Sequence, residues 1–265
     1  MVRELTDHEI TEWNKYRFRA DLNNSFYIAE LFDEKFLEKF MGNLSNIIKA
    51  PSEKVAVSIF IKRYAFVAVM SLYAMTVWNK KIDLSLDKLT MEIPEQGNDW
   101  LPSFSLKEVT MQDWNGTNRM EWRKRVFHDL FAENIFLLIE KFEKTFKISR
   151  LVLWENISVY LFWLYETELK DMSIHHITED FHFLIFEAEG HLFGRYKGNP
   201  LQKYYCEKTY DADKDEELRI RKTCCFNYQL QGNSKRCKTC PCIRTAKDGK
   251  CFDGDDFCTT VRSFT

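Results

Sequence analysis

Up to Phe193 the chain arranges its apolar and polar residues mostly at helical spacing. Thr6-Asp7-His8-Glu9 has the form of a capping box and opens a first helix. Ser52, just after Pro51, is placed to cap a strongly apolar helix from Glu53 to about Trp78. Lys62 and Arg63 interrupt that helix. They leave about fifteen largely apolar residues, short of the roughly 20 that cross a bilayer, so the pattern predicts a buried core helix and no integral membrane segment. From Lys81 to Trp114 the period shortens. Ile82/Leu84/Leu86 and Met91/Ile93 alternate, Pro94 and Gly97 punctuate, and Phe104/Leu106/Val109 follow, which predicts short strands in a small antiparallel sheet.

Helical spacing then returns. Asn118-Arg119-Met120-Glu121 resembles a second capping box, opening a long helix to about Phe146 with Trp122, Val126, Leu130, Phe131, Phe136, Leu138 and Phe142 broadly on one face. A further helix from about Leu151 to Leu169 is apolar nearly all round and so largely buried, with Trp154, Trp163 and Tyr165 as core residues. Thr178 to Gly190 reads as one more, and His175 and His176 sit at its start in a structural role. Gly194, Gly198, Asn199 and Pro200 mark a turn. The predicted fold class is α+β: a mainly α-helical body with a small antiparallel sheet, residues 1–205, followed by a C-terminal cysteine-rich metal segment, residues 206–265.

Composition agrees with a packed protein. Hydrophobic residues make up 45% of the 265, with 22 Phe, 11 Tyr and 7 Trp, while nine Gly and five Pro are too few for a linker-rich chain. The net charge of −2 conceals an asymmetry. Between Leu218 and Lys247 there is no acidic residue but there are eight basic ones; removing those eight from 38 leaves 30 basic against 40 acidic side chains elsewhere. The segment is a basic patch on an acidic body. A nucleic-acid surface would need more basic area with interleaved aromatics, and only Phe226 and Tyr228 lie nearby, so no nucleic-acid partner is expected. Cations beside a negatively charged metal centre would favour its reduced form and attract an anionic substrate.

The same segment holds the cysteines. All eight lie between Cys206 and Cys258, as thiolates do when they converge on a metal or pair as disulfides. The start of the chain, Met1 to Glu9, is highly charged without an apolar run. That predicts a cytoplasmic location, where thiols stay reduced and metal is favoured. Cys237 and Cys240 form a Cys-x-x-Cys pair able to chelate one ion, with the vicinal pair Cys224-Cys225 upstream. A zinc ribbon would supply a second Cys-x-x-Cys or a histidine pair, and no histidine lies beyond His191. A thioredoxin-like reading lacks its strand–motif–helix context.

Cys224-Cys225, an eleven-residue spacer from Phe226 to Arg236, and then Cys237-Lys238-Thr239-Cys240 resemble the signature of FhuF-type ferric-siderophore reductases. The stretch from Gly194 to Leu201 is similar to that family's turn before its cysteines. The resemblance implies a [2Fe–2S] cluster on Cys224, Cys225, Cys237 and Cys240, which would also be the catalytic redox group. It implies one-electron reduction of chelated iron(III) to iron(II) and its release in the cytoplasm. Cys242, Cys251 and Cys258 exceed the four-cysteine pattern, and Cys242, two residues from Cys240, is an alternative ligand.

The expected substrate is a ferric siderophore or ferric citrate-type chelate. The basic segment suggests docking at Arg221, Lys222, Arg236 and Lys238, with Arg195 and Lys197 from the preceding turn. Gly190, Gly194 and Gly198 do not make a dinucleotide fingerprint, so electrons are expected from a ferredoxin, flavodoxin or similar donor. The competing class is a zinc-stabilised module contacting nucleic acid or protein. A simple electron carrier would not need so large a body. Asp211-Ala212-Asp213-Lys214-Asp215 begins like a calcium loop, but Glu216 replaces the needed glycine and Lys222 the final bidentate acid. His191 precedes the turn and is a candidate neighbour of the cluster.

Overall fold

Helix formation starts where the caps place it. In the computed structural model, which describes residues 5–93, 100–211, 215–233 and 235–244, α1 (Asp7–Asn14) opens with Thr6 and Glu9 in a reciprocal capping box. Strand β1 (Ser25–Tyr27) and α2 (Glu34–Ile47) follow, the latter capped by the Asp33 side chain. Neither β1 nor α2 belongs to the elements expected above, although Leu37, Phe40, Met41 and Leu44 make one buried face of α2 at regular helical spacing.

The central element is α3 (Glu53–Val77), buried along almost its whole length. It is long and apolar enough to cross a membrane by composition, but 89% of its most apolar window is covered by the rest of the protein. Phe60 shows how the cover is built: its ring meets Phe40 from α2 edge-on at 5.9 Å and Phe142 edge-on at 5.2 Å. A helix apolar on every side needs neighbours on every side. Here α2, α4, α5 and α6 supply them.

Strands β2 (Lys80–Ile82), β3 (Leu89–Glu92), β4 (Phe104–Leu106) and β5 (Met111–Asp113) fall within the region read as alternating. They divide between two antiparallel sheets, β1-β3-β4 and β2-β5. Pro94 and Gly97 lie outside the described residues. Next come α4 (Arg119–Leu130), capped by Asn118, and α5 (Phe136–Phe146), which a π turn at Phe131–Ile135 joins into one long rod. The extra residue in that turn is used. Asn134 bonds the Tyr64 hydroxyl and the Leu84 carbonyl, each at 2.6 Å, tying α3 to the strand region.

Helix α6 (Arg150–Trp163) packs along α3 and ends in a second π turn, Leu164–Glu168. Trp154 and Tyr165 are buried as expected, whereas Trp163 is half-buried. Helix α7 (His176–His182) is fixed by Asp180, which is fully buried and meets Arg119, Arg123 and Thr76 at 2.6–3.2 Å. The predicted turn follows. Gly194 has φ +107°, and a Cβ there would strike the Phe136 ring, so both conformation and space demand glycine. The hairpin β6 (Thr209–Asp211) and β7 (Glu216–Leu218) then leads into the cysteines, and α8 (Pro241–Arg244) follows Cys240. Ala212, Asp213 and Lys214 of the calcium-like stretch lie outside the described residues, as do Cys251 and Cys258.

Candidate metal centre

The cysteine segment is held down by side chains from α3 and α6. Glu155, only 2% exposed, accepts hydrogen bonds from the Lys222 and Thr223 amides at 2.6 Å each and from the Thr223 hydroxyl. Arg221 balances that buried charge. Its Nε lies 3.9 Å from the Glu155 carboxylate and its Nη2 donates to Asn156 at 2.6 Å. Asn156 donates to the backbone and hydroxyl of Ser58, both at 2.9 Å, and the Ser58 hydroxyl donates to the Cys225 carbonyl at 2.9 Å. About three turns further along, Glu166 in the π turn grips Arg219 with two bonds of 2.8 Å. The fork-to-carboxylate match makes this a directional anchor.

With the loop fixed, the two halves of the motif come together. The Arg221 amide donates to the Thr239 carbonyl at 2.9 Å, and the Cys240 amide closes a turn on the Cys237 carbonyl at 3.0 Å. Phe226 takes a left-handed conformation, φ 60°, and its amide donates to the Cys224 sulfur at 3.3 Å. Cys224, Cys225, Cys240 and Cys242 are buried and Cys237 is half-buried. Cys224, Cys240 and Cys242 have sulfurs within 4.8 Å of one another. Cys225 lies beside Cys237, and Cys224 beside Cys240.

Crowded thiols cannot all ionise alike. The Cys237 thiol beside it acts most strongly on Cys225; burial opposes that effect, Lys62 and Arg221 reinforce it, and the Cys225 thiol is held down at about 4. The same contact, together with burial, raises Cys237. Burial, followed by the neighbouring Cys225 and Cys240 sulfurs, outweighs the Phe226 amide and pushes Cys224 up to about 12. The pocket thus shares few negative charges among many sulfurs. A metal bound by these thiols would supply the missing positive charge in place of their protons. An all-sulfur donor set of this size suits zinc or an iron–sulfur cluster.

The cations named from the sequence lie in different places. Arg236 stacks over Tyr228 at 3.9 Å and brings Nη1 to 3.9 Å from the Cys240 sulfur. Lys238 is exposed and paired with Glu216 at 3.0 Å. Arg221 is buried in the Glu155 network, and Lys222 is half-buried with its amide in the same network. Arg195 bonds Glu140 and lies over Phe136, next to α5, and Lys197 is exposed in the turn. His191 is exposed and faces Glu189 at 3.4 Å. The cation missed was Lys62, whose Nζ lies 3.9 Å from the Cys225 sulfur. Its signal in the sequence is a charge pair, Lys62-Arg63, inside an otherwise apolar helix.

A cysteine cluster able to hold a metal, set on a helical body, defines the class. The sequence matches the family described as ferric iron reductase FhuF-like transporter over residues 58–245, well over half of the chain. The chain belongs to that family, whose description is that of an iron-reducing oxidoreductase. No curated protein matches it significantly. The matched stretch runs from Ser58 through Glu155 to all five of the clustered cysteines.

Proposed function

We propose that this protein is a cytoplasmic ferric-siderophore reductase with a [2Fe–2S] cluster on Cys224, Cys225, Cys237 and Cys240. The observation that carries the cluster assignment is the pairing of the thiols. Cys224 of the vicinal pair has its sulfur within 4.8 Å of that of Cys240 in the Cys-x-x-Cys pair, and Cys225 lies beside Cys237. Two thiolates for each of two irons is the arrangement such a cluster needs. When bound, it supplies electrons one at a time.

The chain's own residues do the rest. Lys62 and Arg236, each 3.9 Å from a sulfur, stabilise added negative charge. Glu155 and Arg221 hold the loop against the body while the buried sulfurs are kept from water. Chelated iron(III) gains one electron and becomes iron(II), whose lower charge weakens its bonds to hard oxygen ligands and frees it. A one-electron carrier of the ferredoxin or flavodoxin type loses the balancing electron, and the protein returns to its starting state.

Cys242 favours a second reading, because with Cys224 and Cys240 it forms a three-sulfur group that suits one zinc ion. Anaerobic purification followed by a visible spectrum and iron, sulfide and zinc analysis separates the two. The reductase reading expects a red-brown protein with iron and acid-labile sulfide in equal amounts. Cys237→Ser should lose both, whereas Cys206→Ser should keep them. A colourless protein carrying zinc alone would overturn the reading, and cluster retention in Cys237→Ser with loss in Cys242→Ser would reassign the ligand.

A further inference from the structure

Beside the thiols, α3 turns Lys62 and Arg63 into a cavity of about 380 Å³. Its other polar walls are Trp100, Asn227, Gln231 and Asn233. No acidic side chain stands among the described residues that line it. Its volume falls within the usual range for small-molecule sites. Lys62 belongs to both places, since it lines the cavity and also approaches the Cys225 sulfur at 3.9 Å. Asn227 is two residues from Cys225, so the cavity and the thiols share a wall.

Two of the residues in its wall carry buried polar atoms with nothing to bond. Trp100 is only 5% exposed, and its buried indole N–H has no partner; the buried Nε of Arg63 has none either. Arg63 forms no ion pair among the described residues. Arg17 adds to the imbalance. Its Nε is also buried without a partner, and its pKa is lowered first by burial and then by repulsion from Arg63. Natural interiors satisfy buried donors and pair buried charges. A cavity with two cations and three amide side chains in its wall, and no carboxylate among the described residues that line it, suits an anion that presents several oxygen acceptors.

We infer that this cavity, rather than the outer basic face at Lys238 and Lys197, docks the ferric chelate, and that it selects anionic, oxygen-rich chelates small enough to seat their metal-binding core against Arg63 and Trp100. The inference rests on the reductase reading. It adds a division of labour within one helix: Lys62 serves the sulfur side, and the next residue, Arg63, serves the substrate side. Amide side chains from the loop that follows the vicinal cysteines complete the wall, so substrate and cluster segment are held together.

Gallium(III) tests this without electron transfer, because it matches iron(III) in charge and is not reduced. Gallium(III) citrate, gallium(III) tris(acetohydroxamate) and metal-free citrate are titrated into the full-length protein by calorimetry, with the visible spectrum recorded on each sample. We expect the anionic gallium citrate to bind at least tenfold more weakly to Arg63→Gln, and the neutral hydroxamate complex to lose less than threefold. Gln231→Glu, at an exposed position, places a like charge in the wall without removing a buried group. It should weaken gallium citrate in the same way, which keeps the test open if Arg63→Gln folds poorly. Unchanged affinity in both variants would overturn the inference. So would equal binding of metal-free citrate, or loss in Lys238→Gln with none in the cavity variants. Absence of iron and sulfide from the wild-type protein would remove the reductase reading alone, and the affinity series would still decide the cavity.

Discussion

A single carboxylate, Glu155, holds the start of the cysteine loop. It accepts two backbone N–H bonds and one hydroxyl bond, and it faces the Arg221 guanidinium from 3.9 Å. Nothing near Leu153-Trp154-Glu155-Asn156 in the sequence announces this, because the partners lie 67 and 68 residues away. A buried acid on an apolar helix face was the available signal. Glu155→Gln keeps the shape but replaces one acceptor by a donor and leaves Arg221 without its counter-charge. Hydrogen bonds to a charged group are worth about 1.5–3 kcal/mol, so we expect a loss on the order of 2 kcal/mol in unfolding free energy. The local signature is faster hydrogen exchange at the Lys222 and Thr223 amides. Unchanged exchange there would show that the carboxylate is not the anchor. Glu187→Gln, at an exposed site bonded to His182, should move stability by no more than about 0.5 kcal/mol.

At the scale of elements, the turn before the cysteines shows how one glycine sets the geometry. Gly194→Ala forces a side chain into a left-handed backbone conformation and into the Phe136 ring, whereas a Cβ on Gly198 meets nothing within 4 Å. We expect Gly194→Ala to cost roughly 2–4 kcal/mol and Gly198→Ala about 0.5 kcal/mol or less, read as shifts in thermal midpoint. Equal shifts would refute the steric argument. Elements of this kind were legible where a local rule governs them. Caps at Thr6 and Asn118 are local, and so is the apolar run of α3. The π turns were not legible: the sequence between Phe131 and Ile135 continues a helical pattern, and the bulge is fixed by Asn134 reaching Tyr64 and Leu84 across the core. Strand pairing was hidden for a similar reason. β1 finds β3 some 65 residues along the chain, from Phe26 to Met91, so alternation revealed strands without revealing two sheets.

For the molecule as a whole, part of the acid-free basic segment serves as counter-charge to acids outside it. Arg219 meets Glu166, Arg221 faces Glu155 and Lys238 meets Glu216. A charge sum along the chain cannot show this, since each partner lies outside the segment. Among the described residues, a rim open to a protein partner lies near Cys237, which is half-buried between exposed Lys235 and Lys238. The sequence carries no Gly-rich dinucleotide fingerprint, and in the reductase proposed above an external electron carrier would approach at this rim. We therefore expect NADPH or NADH alone to leave the visible bands of the oxidised protein unchanged over minutes. Dithionite, or a reduced ferredoxin or flavodoxin, should bleach them. If an acidic carrier docks at the lysine-rich rim, its bleaching rate should fall steeply between about 0.05 and 0.5 M salt, where screening shortens to a few ångströms; the dithionite endpoint should not move. Stoichiometric bleaching by NADPH without an added carrier would reveal a nicotinamide site and overturn the requirement for an external donor. A carrier rate indifferent to salt would leave that requirement in place and move the docking face away from Lys235 and Lys238.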